Sequence, residues 1–146
     1  MPAPNDLQID LAVGAPAEQT FAFEWEPLYL AAAAAFNVRP SNSDVTVTPA
    51  ELVARFGAWR VRIPRDDIDT VHVTTGYGVL KTIGPPRLSL RDRGITMATN
   101  RSRGLCVHAR TPVRGIDPLG LIRHPALTVT VDDPEALARA LGFPRP

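Results

Sequence analysis

The sequence is poor in several residue types, and each shortage excludes a class of protein. It has one cysteine in 146 residues, which excludes an internal disulfide framework and an all-cysteine metal cage. The longest apolar run, Leu28 to Phe36, has nine residues, whereas a membrane helix needs roughly 18. The amino terminus carries Asp6 and Asp10 where a secretory signal would carry basic residues. We therefore expect a cytoplasmic protein with no transmembrane segment.

The composition that remains is that of an ordinary folded domain, with 45% hydrophobic and 21% charged residues. The formal net charge of +1 hides an uneven distribution along the chain. Residues 1–50 have a net charge of −5, residues 51–126 of +7 and the last twenty of −1. A basic middle after an acidic start indicates either an anion-binding face or two parts of one domain that attract each other.

The dominant period of the hydrophobic pattern is two. Trp59, Val61 and Ile63, for example, alternate with Arg60 and Arg62. Such alternation is typical of antiparallel strands with one buried and one exposed face, and glycine- and proline-rich turns separate the stretches that show it. We predict a core that contains Trp59, Val61, Ile63, Val71, Leu88, Leu90, Ile95, Leu105, Val107, Leu127, Val129, Leu137 and Leu141.

Two segments have helical character. Between Asp133 and Leu141, an aspartate that can cap the helix precedes Pro134, and Gly142 can end it. The other segment, Pro27 to Phe36, contains five consecutive alanines and fits a helix or a buried strand equally well.

Residues 37–44 have the composition of a linker. They separate an acidic amino-terminal part, which is too short to hold a core reliably by itself, from the strand-rich remainder. We therefore predict an amino-terminal extension, residues 1–43, packed on a main domain of residues 44–143.

Several stretches resemble bacterial pleckstrin-homology-like (PH-like) domains. They are the ending Leu127-Thr-Val-Thr-Val-Asp-Asp-Pro-Glu-Ala-Leu and the stretch Leu52-Val-Ala-Arg-Phe-Gly-Ala-Trp-Arg-Val-Arg-Ile-Pro with the later Asp67-Ile68. Residues 84–100 and 112–125 are similar to a family of uncharacterised actinobacterial proteins. The resemblance implies a mainly β (α+β) fold, a bent antiparallel roll or barrel capped by a carboxy-terminal α-helix. The amino-terminal extension would add a hairpin or a helix to this fold. The resemblance also implies binding of proteins or lipids, although the phosphoinositide motif of basic residues in the first hairpin loop is not matched.

The sequence shows no motif for catalysis or metal binding. It lacks the G-x-S-x-G, CxxC, HxxxH and HExxH spacings. Cys106 and His108 would share one face of a strand. A zinc site needs three or four ligands, however, and only His72 and His124 remain as further histidine ligands. We therefore expect no metal, no cofactor and no enzyme. The enzyme alternative would need a pocket where titratable groups converge with Cys106, His108 or Asp117.

The arginines suggest an anion-binding alternative. Arg60, Arg62, Arg87 and Arg91 fall at outward-facing positions of their predicted strands and could form a face for anionic lipid or another anion. Aromatic residues make up only 6% of the chain, which disfavours nucleic acid because its binding modules stack bases on exposed aromatic rings.

The segment from Thr111 to Ala126 is the best candidate for a binding surface. It has three prolines and irregularly spaced apolar residues, and loops of this length are often functional. We predict a non-catalytic binding or scaffolding module that uses this segment for a protein partner or for self-association. The alternative is that the segment covers an open end of the sheet. The predicted binding residues are Arg114, Leu119, Leu121, Ile122, Arg123 and His124, with Arg114, Arg123 and His124 on the rim of an apolar patch.

Overall fold

The computed structural model describes residues 18–75, 94–100, 102–115, 119 and 121–144, together with the backbone of residues 87–88. These residues form nine strands, two α-helices and two short 3-10 helices. The strands are β1 (Gln19–Ala22), β2 (Ser43–Val47), β3 (Glu51–Phe56), β4 (Trp59–Pro64), β5 (Ile68–Thr75), β6 (Arg87–Leu88), β7 (Ile95–Met97), β8 (Arg103–Val113) and β9 (His124–Val129). The α-helices are α1 (Pro27–Ala34) and α2 (Pro134–Ala140). The prediction of a mainly β fold is confirmed.

The first sheet contains β1 to β4 as sequential antiparallel neighbours. β2, β3 and β4 alternate between buried and accessible residues, as the period of two predicts. The turn from β3 to β4 requires glycine, because Gly57 has a φ of 62° and a Cβ there would lie 2.8 Å from Cγ2 of Val38.

The second sheet has the order β5-β8-β9-β7-β6 and is mixed. β8 pairs antiparallel with both β5 and β9, whereas β7 pairs parallel with β9. The expectation of a wholly antiparallel sheet is therefore wrong for this pair. It failed because alternation within a strand shows which face is buried and carries no information on a neighbour's direction. In the described part of the chain the strands form two sheets and no closed barrel.

The hydrophobic core is one cluster to which both sheets and α2 contribute. Each predicted core residue with a described side chain is buried, except Trp59, which is partly buried against the cluster. The side chain of Leu88 and all of Leu90 lie outside the described residues. Phe56 also stacks on Trp25, with ring centroids 6.4 Å apart and an interplanar angle of 4°.

Local sequence signals predict α2, whereas for α1 they leave a helix and a buried strand as alternatives. Oδ1 of Asp133 accepts a hydrogen bond of 2.9 Å from the backbone N–H of Ala136, and Gly142 follows α2 with a φ of 91°, so the predicted cap and stop are confirmed. α2 buries Leu137 in the core. Of the two alternatives for Pro27 to Phe36, the helix is correct, and it buries Tyr29.

A buried polar network joins the segment after β1 to the rest of the molecule. Nδ2 of Asn100 donates to the carbonyl oxygen of Glu24 at 2.8 Å, and the backbone N–H of Thr99 donates to Oγ1 of Thr130 at 2.8 Å. The backbone N–H of Glu24 in turn donates to the carbonyl oxygen of Thr130 at 3.1 Å. These hydrogen bonds satisfy groups that would be costly to bury unpaired.

Candidate functional site

An open groove of about 710 Å³ lies between β4 and the carboxy-terminal end of β8. Four arginines, two aspartates and several apolar or small side chains line it. The lining residues are Arg60, Arg62, Pro64, Asp66, Asp67, Thr111, Pro112, Val113, Arg114 and Arg123.

β4 places two of these arginines by its alternation. Val61 and Ile63 are fully buried, so the side chains of Arg60 and Arg62 lie on the opposite, exposed face of the strand. Nη1 of Arg62 forms an ion pair of 2.5 Å with Oε1 of Glu51 on the neighbouring strand. The charge of Arg62 is therefore partly compensated within the first sheet.

Arg60 lies directly opposite Arg55 on β3. Two like charges in this position repel each other, but Asp44 forms a two-pronged ion pair with Arg55. The hydrogen bond that Arg55 donates to Asp44 is the main reason why the pKa of Arg55 is raised above its ordinary value. The negative charge of Asp44 raises it further. Arg55 thus has its own counter-ion, and Arg60 is directed to the groove.

The wall formed by β8 is held by hydrogen bonds to the turn that follows β4. Both the backbone N–H and the hydroxyl of Thr111 donate to the carboxylate of Asp67, at 3.2 and 3.1 Å. Nη1 of Arg110 donates to the carbonyl oxygen of Asp66 at 2.9 Å. The Asp67 carboxylate is consequently engaged with the wall, which keeps this side of the groove in place.

Gly115 explains how Arg114 reaches the groove. A Cβ at position 115 would lie 1.9 Å from Cδ1 of Ile95 and 3.1 Å from Cγ2 of Val61. The backbone therefore passes close to the core immediately after Arg114, and the Arg114 side chain is exposed on the other side.

The lining of the groove carries more positive than negative charge. Its lining has four arginines against two aspartates. Among the described residues, no carboxylate lies within ion-pair distance of Arg60, Arg114 or Arg123. Several cations that line one concave surface raise the local concentration of an anionic ligand.

The groove combines residues from two surfaces that the sequence analysis treated separately. Arg60 and Arg62 come from the anion-binding alternative, whereas Arg114 and Arg123 come from the predicted protein-binding segment. Tertiary structure brings the ends of β4 and β8 together, and no local pattern indicates that contact. Of the other candidate arginines, Arg87 begins β6 without a described side chain, and Arg91 lies outside the described residues.

The apolar candidates of the segment are exposed, in the same connection as Arg123. Leu119 is 76% exposed, Leu121 80% and Ile122 38%. His124, however, is fully buried, so the prediction that it lies on the rim is wrong. The reason is that β9 begins at His124, and Val113 on β8 pairs with it. Both ends of the segment belong to strands, and the connection between them is residues 114–123.

Sequence reasoning missed one further group of exposed apolar residues. Leu28 and Leu30 on α1 and Phe36 just beyond it are all exposed. The run of alanines drew attention to helix formation, and the faces of the helix become visible only once Tyr29 and Ala33 are known to be buried.

Among the described residues, no helix is long and apolar enough to cross a membrane. Comparisons with protein families, with curated protein sequences and with solved structures find no match for this chain.

Proposed function

We propose that this protein is a non-catalytic binding module whose groove takes an acidic segment of a protein partner. The observation that carries the proposal is the position of the exposed Leu119 and Leu121 in the connection that also supplies Arg114 and Arg123 to the groove. Arginine next to exposed apolar residues is a composition typical of protein interfaces.

An acidic peptide with apolar side chains fits both parts of this surface. Its carboxylates would pair with Arg60, Arg114 and Arg123, and guanidinium groups bind carboxylates with two parallel hydrogen bonds. Its apolar side chains would cover Leu119 and Leu121, which are otherwise in water. A small anion would use only the arginines and leave the leucines exposed.

We also propose a PH-like arrangement for the chain. Strands that precede a capped carboxy-terminal helix, with Leu137 and Leu141 in the core, support it. The parallel pair of β7 and β9 is a departure from the fully antiparallel roll that the resemblance implies. The binding proposal does not depend on this fold assignment, because it rests on the groove alone.

The groove itself favours binding over catalysis. Its described lining contains no cysteine, histidine or serine. Its two carboxylates are Asp66 and Asp67, and the second already accepts hydrogen bonds from Thr111. A site for general acid–base chemistry would need a proton-transfer group aimed at the ligand.

The test compares peptides with other anions. A displayed library of random peptides is selected on the wild-type protein, and the selected peptides are measured by fluorescence anisotropy at two salt concentrations. We expect peptides that combine acidic and apolar residues. We expect the double change Arg60→Glu, Arg114→Glu to weaken their binding at least about tenfold, the loss typical of residues that dominate an interface.

Arg139→Glu serves as the control for charge reversal, because Arg139 is exposed in the last turn of α2 and does not line the groove. It should retain wild-type affinity. Selection of peptides without acidic residues, or equal loss in Arg139→Glu, would contradict the proposal. Stronger binding to vesicles of anionic phospholipid than to every selected peptide would assign the groove to lipid instead.

A further inference from the structure

The register of the second sheet brings together three side chains that can bind a metal ion. His72 on β5 lies directly opposite Cys106 on β8, and His108 is the second residue beyond Cys106 on that strand. Residues opposite each other and residues two apart in a strand project from the same face of a sheet. The sequence alone led us to expect no metal, because the pairing that places His72 beside Cys106 is not a local property.

The donor atoms of the three side chains are close to one another. One ligand atom from each of His72, Cys106 and His108 can be chosen so that all lie within 4.8 Å. Sγ of Cys106 is 3.5 Å from Nε2 of His108. The two imidazole rings have centroids 4.9 Å apart.

The separation of the Cys106 and His108 donor atoms is close to that of two ligands around one zinc ion. With a Zn–S distance of about 2.3 Å and a Zn–N distance of about 2.0–2.1 Å, tetrahedral geometry holds a sulfur and a nitrogen ligand about 3.6 Å apart. The contact between Cys106 and His108 already has this length. His72 is exposed, so its ring can turn towards the ion without disturbing packed neighbours.

The surroundings suit a bound ion that remains accessible to solvent. Cys106 is only 8% exposed, His108 is intermediate and His72 is exposed. The ligands lie on the face opposite the core, because their chain neighbours Val71 and Val107 are buried in it. Two paired strands thus hold the ligand backbones in place, which reduces the ordering needed when an ion binds.

We propose that His72, Cys106 and His108 form a zinc-binding site. The two neutral imidazoles each donate a nitrogen lone pair, and the Cys106 thiol gives its proton to solvent and binds as thiolate. Water occupies the fourth position, the usual arrangement for zinc with three protein ligands. Zinc is the expected ion because it combines imidazole with thiolate ligands and accepts tetrahedral geometry. The site is separate from the groove, whose lining contains none of the three residues.

The test uses the full chain, freed of metal with a chelator. Zn²⁺ is titrated by calorimetry, and Co²⁺ serves as a spectroscopic probe because a thiolate ligand produces a charge-transfer band. We expect one ion per chain and a thiolate-to-cobalt band. Zinc at a hundredfold excess over its Kd should raise the melting temperature by about 5–10 °C.

Three variants distinguish a metal site from a hydrogen-bonded cluster. Cys106→Ser should abolish the charge-transfer band, and His72→Ala should weaken zinc binding at least about tenfold, the scale of loss even for residues that only support a ligand. Thr75→Ala is the control, because Thr75 is another exposed residue of β5 and lies opposite Arg103, away from the three ligands. It should bind zinc as the wild type does.

His72 is exposed, so His72→Ala is expected to fold, and the circular dichroism spectrum checks this. Wild-type zinc affinity in a folded His72→Ala protein would overturn the proposal. So would the absence of the charge-transfer band in the wild type, or binding of Cu⁺ without binding of Zn²⁺ or Co²⁺.

Discussion

The double change Leu119→Ser, Leu121→Ser separates an interface from a core cover. Complete burial of a leucine side chain contributes about 1.5–3 kcal/mol. Leu119 is 76% and Leu121 80% exposed. The double change can therefore remove only about a quarter of this contribution at Leu119 and about a fifth at Leu121. The free energy of unfolding should therefore fall by no more than about 0.7–1.3 kcal/mol in total.

Thermal unfolding followed by circular dichroism measures this difference. For a chain of this size a loss of about 1 kcal/mol lowers the melting temperature by about 2–4 °C, so the double variant should melt within a few degrees of the wild type. Leu127→Ala is the comparison, because Leu127 is fully buried. Its truncation should cost about 2–5 kcal/mol by itself.

The binding measurement completes this prediction. If Leu119 and Leu121 contact the partner, the double variant should lose binding of the selected acidic peptides while it keeps its stability. A loss of more than about 3 kcal/mol of stability, comparable to one core truncation, would refute the reasoning. The connection would then be a cover for the end of the sheet, and the proposed binding surface would lose its apolar part beside the groove's arginines.

Two further predictions concern the structure that supports these surfaces. Asn100→Ala should lower the free energy of unfolding by about 2–4 kcal/mol, measured by urea titration. The change removes the hydrogen bond to Glu24 at 2.8 Å and leaves the backbone N–H groups of Ser102 and Arg103 without their acceptor. A loss below about 1 kcal/mol would contradict a stabilising role of this network. Gly115→Ala should lower the free energy of unfolding by about 1–3 kcal/mol through overpacking. Adding Ile95→Val should recover part of this loss, because valine lacks the Cδ1 atom that the new Cβ would meet at 1.9 Å. Strictly additive losses in the double variant would show that the two positions do not clash.

Strand β8 has a central place in both proposals. It carries Cys106 and His108 in its middle and Thr111 at the edge of the groove. At about 3.3 Å per residue, His108 lies only about 10 Å along the strand from Thr111. Variants on this strand therefore need both a metal titration and a peptide titration, so that an effect on one surface is not assigned to the other.

Much of the local structure could be predicted from the sequence. The period of two placed the buried rows of the strands, as at Val61 and Ile63, because a strand turns successive side chains to opposite faces. Asp133 and Gly142 marked the ends of α2, because a side-chain cap and a left-handed glycine act within a few residues. The basic character of residues 51–126 was also visible, since it is a property of composition.

Contacts between distant parts of the chain were decided only by the tertiary structure. Alternation does not give the direction of a neighbouring strand, so the parallel pair of β7 and β9 was not predicted. For the same reason, the sequence could not predict the register that pairs His72 with Cys106, nor the position of β8 near Arg60. The sequence by itself determined the residue types and the buried face of strands that alternate, such as β3 and β4. The contacts between strand faces and strand ends depend on strand pairing and sheet packing between residues far apart in the sequence. Both proposed sites are formed by such long-range contacts.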